Sequence, residues 1–239
     1  MRALKRFVYR NWQSVHGVRR MELAVLRRYL DLRRGLRLLD VGSGKGAFCG
    51  ELARAGYEVV GVDPSAAAAA IAKTHVNPHG KFVLGAGEAL PFPPGQFDGA
   101  VSVCVLEHTQ DDARVLAEVA RVLKPGGLFA LTVDCLDSPH VTEGFRRHYR
   151  REYRCNQFYG DARLRELLSR AGFETLETEY LFSGRLSVAI LRFGSLFHFR
   201  SVFILLFPIF YPLLLLDRAI NRKRGSGMIL AVKARKISA

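Results

Sequence analysis

Short apolar runs alternate along the chain with amphipathic segments. The runs at 38–41, 58–63, 81–84, 97–108 and 128–133 predict buried strands, and helical patterns fill the gaps between them. One such helix, from Asp112 to Leu123, is predicted to end at the turn 124–127, where Pro and Gly cannot continue it. This alternation with short turns predicts an α/β fold, a doubly wound and mostly parallel sheet of the Rossmann type with helices on both faces.

The first 35 residues have a different pattern. Apolar positions from Leu4 to Leu30 recur at helical spacing, and arginine and lysine fill the positions between them. We interpret residues 1–35 as an amphipathic helical cap over the ligand site. The alternative is a basic helix that lies on a membrane.

A long apolar insertion separates the last two predicted strands, 176–182 and 228–234. Within it, residues 201–216 carry no charge, but this run is shorter than the ~20 residues that span a bilayer as a helix. Pro208 and Pro212 should break or kink it, and arginines and lysines flank both sides. We therefore predict that residues 184–225 form a monotopic, membrane-associating insertion. A buried helix or a dimer interface remains the alternative.

Composition limits the partners and the compartment. The 239 residues carry 36 Lys and Arg against 22 Asp and Glu, a net charge of +14, which favours an anionic membrane surface or a nucleic acid. The four cysteines form no C-x-x-C pair, so we expect reduced thiols and no metal site. With no secretory signal apparent, the expected location is cytoplasmic, peripheral or monotopic on the inner face of the membrane.

The first predicted strand leads directly into three alternate glycines, Gly42, Gly44 and Gly46. A strand, a glycine turn and a helix start in this order are typical of a nucleotide-binding crossover. Taken with Ala47, the glycines fit a dinucleotide fingerprint as well as the G-x-G-x-G loop of S-adenosylmethionine (SAM) enzymes. Asp63 follows the second strand 21 positions after Gly42, near the offset at which a carboxylate binds a ribose diol.

The segments LLDVGSGKG, VVGVDPS, GAGEALPFPPGQFD, VSVCVLEH and RVLKPGG occur in this order and spacing. Together they resemble the class I SAM-dependent methyltransferases, and most closely the subgroup of the ubiquinone and menaquinone methyltransferases. The resemblance covers about residues 36–135. It implies a seven-stranded sheet whose last two strands are antiparallel, and SAM as the cofactor.

The resemblance also implies roles for individual residues. Gly42, Ser43 and Gly44 would pass under the methionine part of SAM, Asp63 would hold the ribose and Pro64 would lie against the adenine. Gly87 and Glu88 would lie at the amino edge of the adenine, although Ala86 stands where relatives commonly have Asp. The implied cofactor set is completed by three residues near strand ends: Asp40, Cys104 and His108.

The segment 134–160 is rich in ionisable and aromatic side chains, and it follows the fifth strand, where ligands bind. We interpret it as the acceptor lid, with a solvated basic face as the alternative. An oxygen acceptor would need a base, for which His140 and His148 are the candidates.

The sequence therefore predicts a SAM-binding domain at 36–183 and 226–239, with the cap before it and the insertion within it. The predicted reaction is methyl transfer to a lipophilic or membrane-held small molecule, such as a lipid, a prenylated quinone or a lipid-linked precursor. The alternatives are an RNA methyltransferase, since nucleic acid is not excluded by the charge, and a catalytically silent membrane scaffold. The oligomeric state stays open.

Overall fold

A computed structural model describes residues 17–30, 35–76, 80–196, 207–221 and 225–237. Several predictions fall on residues outside the described ranges: two parts of the predicted cap (1–16 and 31–34), the first six residues of the apolar run (201–206) and the basic triplet at 222–224.

Within the described residues, seven strands form one sheet in the order β3-β2-β1-β4-β5-β7-β6. The neighbours from β3 to β5 are parallel, and β7 runs antiparallel between β5 and β6. The seven-stranded, mostly parallel sheet is therefore confirmed. The strands are β1 (Arg37–Val41), β2 (Glu58–Asp63), β3 (Gly80–Leu84), β4 (Phe97–Val103), β5 (Leu123–Asp134), β6 (Phe173–Leu181) and β7 (Ile229–Lys236).

Helices cover both faces of this sheet, and each face has its own apolar core. Helices α1, α2, α7 and α8 contribute to one core, and α4 and α6 contribute to the other. The helices are α1 (Gly17–Leu30), α2 (Ala47–Arg54), α3 (Ala66–Val76), α4 (Asp112–Val122), α5 (Glu143–Tyr153), α6 (Asp161–Arg170), α7 (Arg185–Leu196) and α8 (Phe207–Asn221), and a 3-10 turn spans Leu106–His108.

Strand β5 begins earlier than the hydrophobic pattern predicts. Leu123 already pairs with Phe97, and the ladder resumes where Leu128 pairs with Gly99, so the residues between them form an irregularity in the strand. Gly126, with φ of 74°, gives this segment a conformation that other residues rarely adopt. The helix before it consequently ends at Val122, one residue earlier than predicted.

Helix α1 is part of the core. Met21, Leu26 and Tyr29 are buried against the sheet, where α1 contacts β4, β5 and β7. The described half of the predicted cap is therefore a layer of the fold itself.

The insertion between β6 and β7 contains α7 and α8, which pack against each other. Leu214 is fully buried, and buried Asp217 accepts a hydrogen bond from Ser187. A side chain at Gly184 would overlap the Asp217 carboxylate, so glycine is needed at the start of α7. A break or a kink was expected at Pro212, and helix α8 is not broken there. In the described part of the chain, no helix has the length and apolar character needed to cross a bilayer.

Glu179 of β6 joins α8 to α1. Its carboxylate accepts hydrogen bonds from Arg28 at 2.6 Å and from Arg218 at 2.6 and 3.1 Å. Burial raises the pKa of Glu179, but the two arginines outweigh burial and lower the pKa overall. A depressed pKa stabilises the fold above the unfolded-state pKa, and this stabilisation is lost as the pH falls through the folded-state pKa.

We expect Glu179→Gln to lower the free energy of unfolding by about 1–2 kcal/mol, because two arginines lose a buried anion but stay partly exposed. Glu174→Gln is the matched control, since Glu174 is an exposed partner of Arg235 on the same strand and should change stability by less than about 0.5 kcal/mol. Urea unfolding at pH 7 measures both values, and equal losses would contradict the role of Glu179.

Candidate functional site

The glycine turn lies at the carboxyl end of β1. Gly42, Gly44 and Gly46 have φ of 69°, 52° and 75°, values that favour glycine. The close approach is at Gly42, where an added Cβ would lie 2.4 Å from a methyl carbon of Val105, just beyond β4. The turn therefore packs directly against the segment that follows β4.

Asp63 ends β2 beside this turn. Its two carboxylate oxygens accept hydrogen bonds from the backbone N–H groups of Gly44 at 2.8 Å and of Ser65 at 2.9 Å. Each oxygen keeps capacity for a further hydrogen bond, and the residue is half-buried. The buried Ser43 hydroxyl next to it has no hydrogen-bond partner in the described structure. The edge between β1 and β2 thus offers unused polar groups around a glycine cradle.

Asp40 lies below the turn and is 2% exposed. The Cys49 thiol of α2 donates to its carboxylate at 3.2 Å. Burial raises the pKa of Asp40 to about 7. Asp40 faces α2 from within the strand, and its contact with the cofactor remains a prediction.

Four other predicted cofactor residues differ in how deeply they are buried. Gly87 is close-packed, since an added Cβ would contact Val41 and Val115 at 3.3–3.5 Å. Glu88 is half-buried, whereas Pro64 and His108 are exposed. The His108 ring lies 3.4 Å from the backbone oxygen of Arg154. Their predicted contacts with a ligand also remain predictions.

The two candidate bases are half-buried. His148 of α5 lies 3.2 Å from the Ser195 hydroxyl of α7, so its ring is used between two helices. His140 lies in the turn before α5, where its backbone N–H is 3.4 Å from the Ser138 hydroxyl. It is the neighbouring Tyr149 that reaches the end of β5, where it donates to Asp134 at 3.1 Å.

A buried set of carboxyl groups that was not predicted from the sequence lies at the ends of β4 and β5. We call Glu22, Glu107 and Asp134 the acidic cluster; they are 1%, 0% and 3% exposed. Glu22 extends from α1 and accepts a hydrogen bond from the Cys104 thiol at 3.0 Å. Cys104, with a positive φ of 52°, follows β4 immediately. Helix α1 and the strand ends thus meet above the sheet.

Within the acidic cluster, Glu107 and Asp134 are linked through the backbone, since the Asp134 N–H donates to one Glu107 oxygen at 3.2 Å. The other Glu107 oxygen has no hydrogen-bond partner in the described structure. Asp134 accepts from the Tyr149 hydroxyl and, at 3.6 Å, from the Cys155 thiol. Burial, reinforced by the neighbouring acids, raises the pKa of Asp134 to about 6 and that of Glu107 well above its usual range.

The Cys104 sulfur and one oxygen each of Glu107 and Asp134 lie within 4.8 Å of one another, close enough for a cation to sit among them. Burial raises the pKa of the Cys104 thiol well above its usual range, so the thiol stays protonated and donates to Glu22. A protonated thiol is a poor metal ligand, since metals bind the thiolate.

Residues 39–131 match the family model described as a methyltransferase domain. The resemblance drawn from the sequence is therefore confirmed over this range, which contains the glycine turn, Asp63 and Glu107 but ends before Asp134.

Among curated proteins, an uncharacterized methyltransferase of Mycolicibacterium gilvum (strain PYR-GCK) is 43% identical over 101 residues, covering 41% of this chain and 39% of the relative. A ubiquinone biosynthesis O-methyltransferase of Bradyrhizobium sp. (strain ORS 278) is 40% identical over 100 residues, covering 41% of this chain and 40% of the relative. The match thus spans about two fifths of the length of these relatives.

The fold is similar to that of phosphoethanolamine N-methyltransferase 2 of Haemonchus contortus in complex with S-adenosyl-L-methionine. The TM-score is 0.69 at 22% identity, and the similarity covers 92% of this chain and 53% of that chain. At this identity, the likeness establishes the fold alone.

Two signals in the sequence could have indicated the acidic cluster. Glu22 is the one acidic residue in an otherwise basic helix. Asp134 follows β5 as Asp63 follows β2, and carboxyl ends of parallel strands lie along the same edge. Glu107 stands inside the quoted motif but carries no signal of its burial.

We expect Gly42→Ala to lower the free energy of unfolding by about 2–4 kcal/mol, because a positive φ and the overlap with Val105 both disfavour a side chain. Gly35→Ala is the control. Gly35 has φ of 84° but no atom within 4 Å of an added Cβ, so only the backbone strain of about 1 kcal/mol should remain. If urea unfolding gave equal losses for both variants, the close approach at Gly42 would be wrong.

Proposed function

We propose that the protein is a SAM-dependent methyltransferase whose acceptor is lipophilic and held at an anionic membrane surface. The glycine turn with Asp63 beside it supports SAM as the cofactor. The observation that carries the membrane-held acceptor is an exposed apolar face of α8, a helix packed against the domain that carries the turn.

The residues at the carboxyl edge of the sheet fit SAM. Gly44 has open space where a side chain would lie, and Asp63 has lone pairs free for the two ribose hydroxyls. The Ser43 hydroxyl is buried without a partner and lies in the same turn. When bound, SAM supplies a methyl group already activated on a sulfonium. The protein's task is therefore to bind and orient, which can contribute ~7–11 kcal/mol to the rate.

The outer face of α8 is apolar. Ile209, Leu216 and Ile220 recur at helical spacing and are 59%, 55% and 73% exposed, while Leu214 on the opposite face is buried. Phe210 of the same helix does not belong to this face, because it is half-buried against the core. We call Ile209, Leu216 and Ile220 the α8 ridge. An exposed apolar ridge of this kind marks an interaction surface.

Charge favours a lipid surface as the occupant. Helix α7 packs beside α8 and exposes Arg185 and Arg192 next to the apolar Leu186 and Phe193. In the sequence, Arg-Lys-Arg follows the end of α8. A second copy would bring two chains of charge +14 together, whereas anionic headgroups neutralise them, at about 1 kcal/mol for each cation.

A lipophilic acceptor agrees with a relative's printed name, ubiquinone biosynthesis O-methyltransferase. The match leaves more than half of that protein and of this chain uncompared. The acceptor therefore rests on the α8 ridge and not on the relative.

We expect Asp63→Ala to weaken binding of S-adenosylhomocysteine, the demethylated product, by about 10–100-fold, because two ribose hydroxyls lose their acceptor. Glu58→Ala is the control, since Glu58 begins the same strand at its opposite end. Isothermal titration gives both dissociation constants. Failure of the unaltered protein to bind this ligand at millimolar concentration would end the cofactor assignment.

Replacing the α8 ridge by serine (Ile209→Ser, Leu216→Ser, Ile220→Ser) should reduce co-sedimentation with phosphatidylglycerol vesicles at least about tenfold, since each side chain loses an apolar environment. The control carries the same change at three exposed apolar residues elsewhere: Leu84, Leu176 and Ile237. We expect the control to bind like the unaltered protein. Salt-sensitive binding of RNA without any binding of vesicles would favour the alternative of an RNA methyltransferase.

A further inference from the structure

The acidic cluster is unbalanced in charge. Three carboxyl groups are almost fully buried at the ends of β4 and β5, and the described cation that pairs with them is Arg19, 3.0 Å from Glu22. Arg19 also acts on Asp134 through its charge, but among the described residues no arginine or lysine forms an ion pair or hydrogen bond with Glu107 or Asp134, and one Glu107 oxygen has no hydrogen-bond partner. Buried carboxylates without a positive partner are costly, so this site favours a cation supplied from outside or a retained proton.

One aromatic residue, Tyr149, contacts these carboxyl groups, and further aromatic rings pack around it. Tyr149, which donates to Asp134, packs against Tyr153 at 4.3 Å and against Phe145 and Phe158 at 6.0 and 6.4 Å between ring centroids. The Arg150 guanidinium already lies 5.0 Å from the Phe158 centroid, so this aromatic group holds a cation on one side. Carboxylates combined with aromatic faces are a recognition site for organic ammonium groups.

The position of the cluster is that of an acceptor subsite. Cys104 and Asp134 directly follow or end β4 and β5, and Val105 next to Cys104 touches the glycine turn. Ligands of parallel sheets bind at this edge. A group held by Glu107 and Asp134 would therefore lie next to the cofactor cradle, on the side covered by α1 and α5.

We propose that Glu107 and Asp134, with the Tyr149 ring, form a subsite for the amine of the acceptor, so that the protein methylates a lipophilic amine. This inference rests on the proposed function and names the acceptor's reacting group. Glu22, Asp134 and Tyr149 lie outside residues 39–131, the range of the family match, so that match assigns them no role.

The same carboxyl pair can prepare the nitrogen. An ammonium has no free lone pair, and a methyl acceptor needs one. Transfer of one ammonium proton to the free Glu107 oxygen breaks an N–H bond, forms an O–H bond and leaves the electron pair on nitrogen. The raised pKa of Glu107, caused first by burial, favours this transfer.

A metal ion and the cofactor's own ammonium are the competing cations. The protonated Cys104 thiol leaves only carboxyl oxygens for a metal, and Tyr149 and Cys155 already donate to Asp134. The aromatic rings around Tyr149 offer a metal ion no ligand, but they stabilise an organic cation. The experiment below separates the three.

The probes are hexyltrimethylammonium and the uncharged 1-hexanol, titrated into the full chain saturated with S-adenosylhomocysteine. We expect the ammonium to bind at least about tenfold more tightly than the alcohol, and this preference to fall below about threefold in Glu107→Gln and in Asp134→Asn. Asp137→Asn is the matched control: it removes one exposed carboxylate just beyond β5 and should keep the preference. Circular dichroism and thermal melting establish whether each variant is folded. If only one of the two cluster variants folds, that variant alone tests the proposal.

Four results would overturn the proposal. The first is a preference for the ammonium that persists in both cluster variants, and the second is the absence of this preference from the unaltered protein. The third is a loss of S-adenosylhomocysteine affinity in Glu107→Gln as large as the loss for the ammonium, which would assign the cluster to the cofactor. The fourth is tight Mn²⁺ binding that displaces the ammonium and disappears in Glu107→Gln. Binding of S-adenosylhomocysteine by the unaltered protein separates each of these results from a failure of the proposed function.

Discussion

The structure depends on the close approach between the glycine turn and the end of β4. Gly42 leaves no room for a side chain because Val105 lies where a Cβ would be. The backbone N–H groups of Gly42 and Ser43 donate to Val62 of β2 at 2.9 and 3.0 Å, so the turn is fixed to both neighbouring strands. The polar groups at this edge, from Asp63 to Asp134, are carried by strands whose separation is set by this close approach.

The sequence was sufficient for the sheet because buried parallel strands are apolar throughout and their order follows from short connections. It was insufficient for the start of β5, where tertiary pairing of Leu123 with Phe97 extends the strand across a Pro-Gly segment that local preference assigns to a turn. Around the site, local pattern located Gly42 and Asp63 but not Glu22. A single acid in a basic helix has no local consequence until the helix packs over Cys104.

The insertion is a second place where the sequence pattern alone was insufficient. Its hydrophobicity indicated a buried or membrane-bound segment, and in the structure one face of α8 is buried while the other is exposed. Leu214 and Asp217 face inward, whereas Ile209 and Ile220 face outward. Hydropathy averaged along a run cannot make this division, because it depends on which face packs against α7 and which arginine pairs with Glu179.

Helix α1 connects the two surfaces that the proposed function requires. Near its start, Glu22 contacts Cys104 beside the acidic cluster, and near its end Arg28 shares Glu179 with Arg218 of α8. Two residues before Glu22, Arg20 lies 5.6 Å from the Tyr211 ring of α8. One helix therefore fixes the α8 ridge relative to the carboxyl edge of the sheet. A methyl acceptor anchored in lipid needs this arrangement, because its tail stays in the membrane while its reacting group must reach the cofactor.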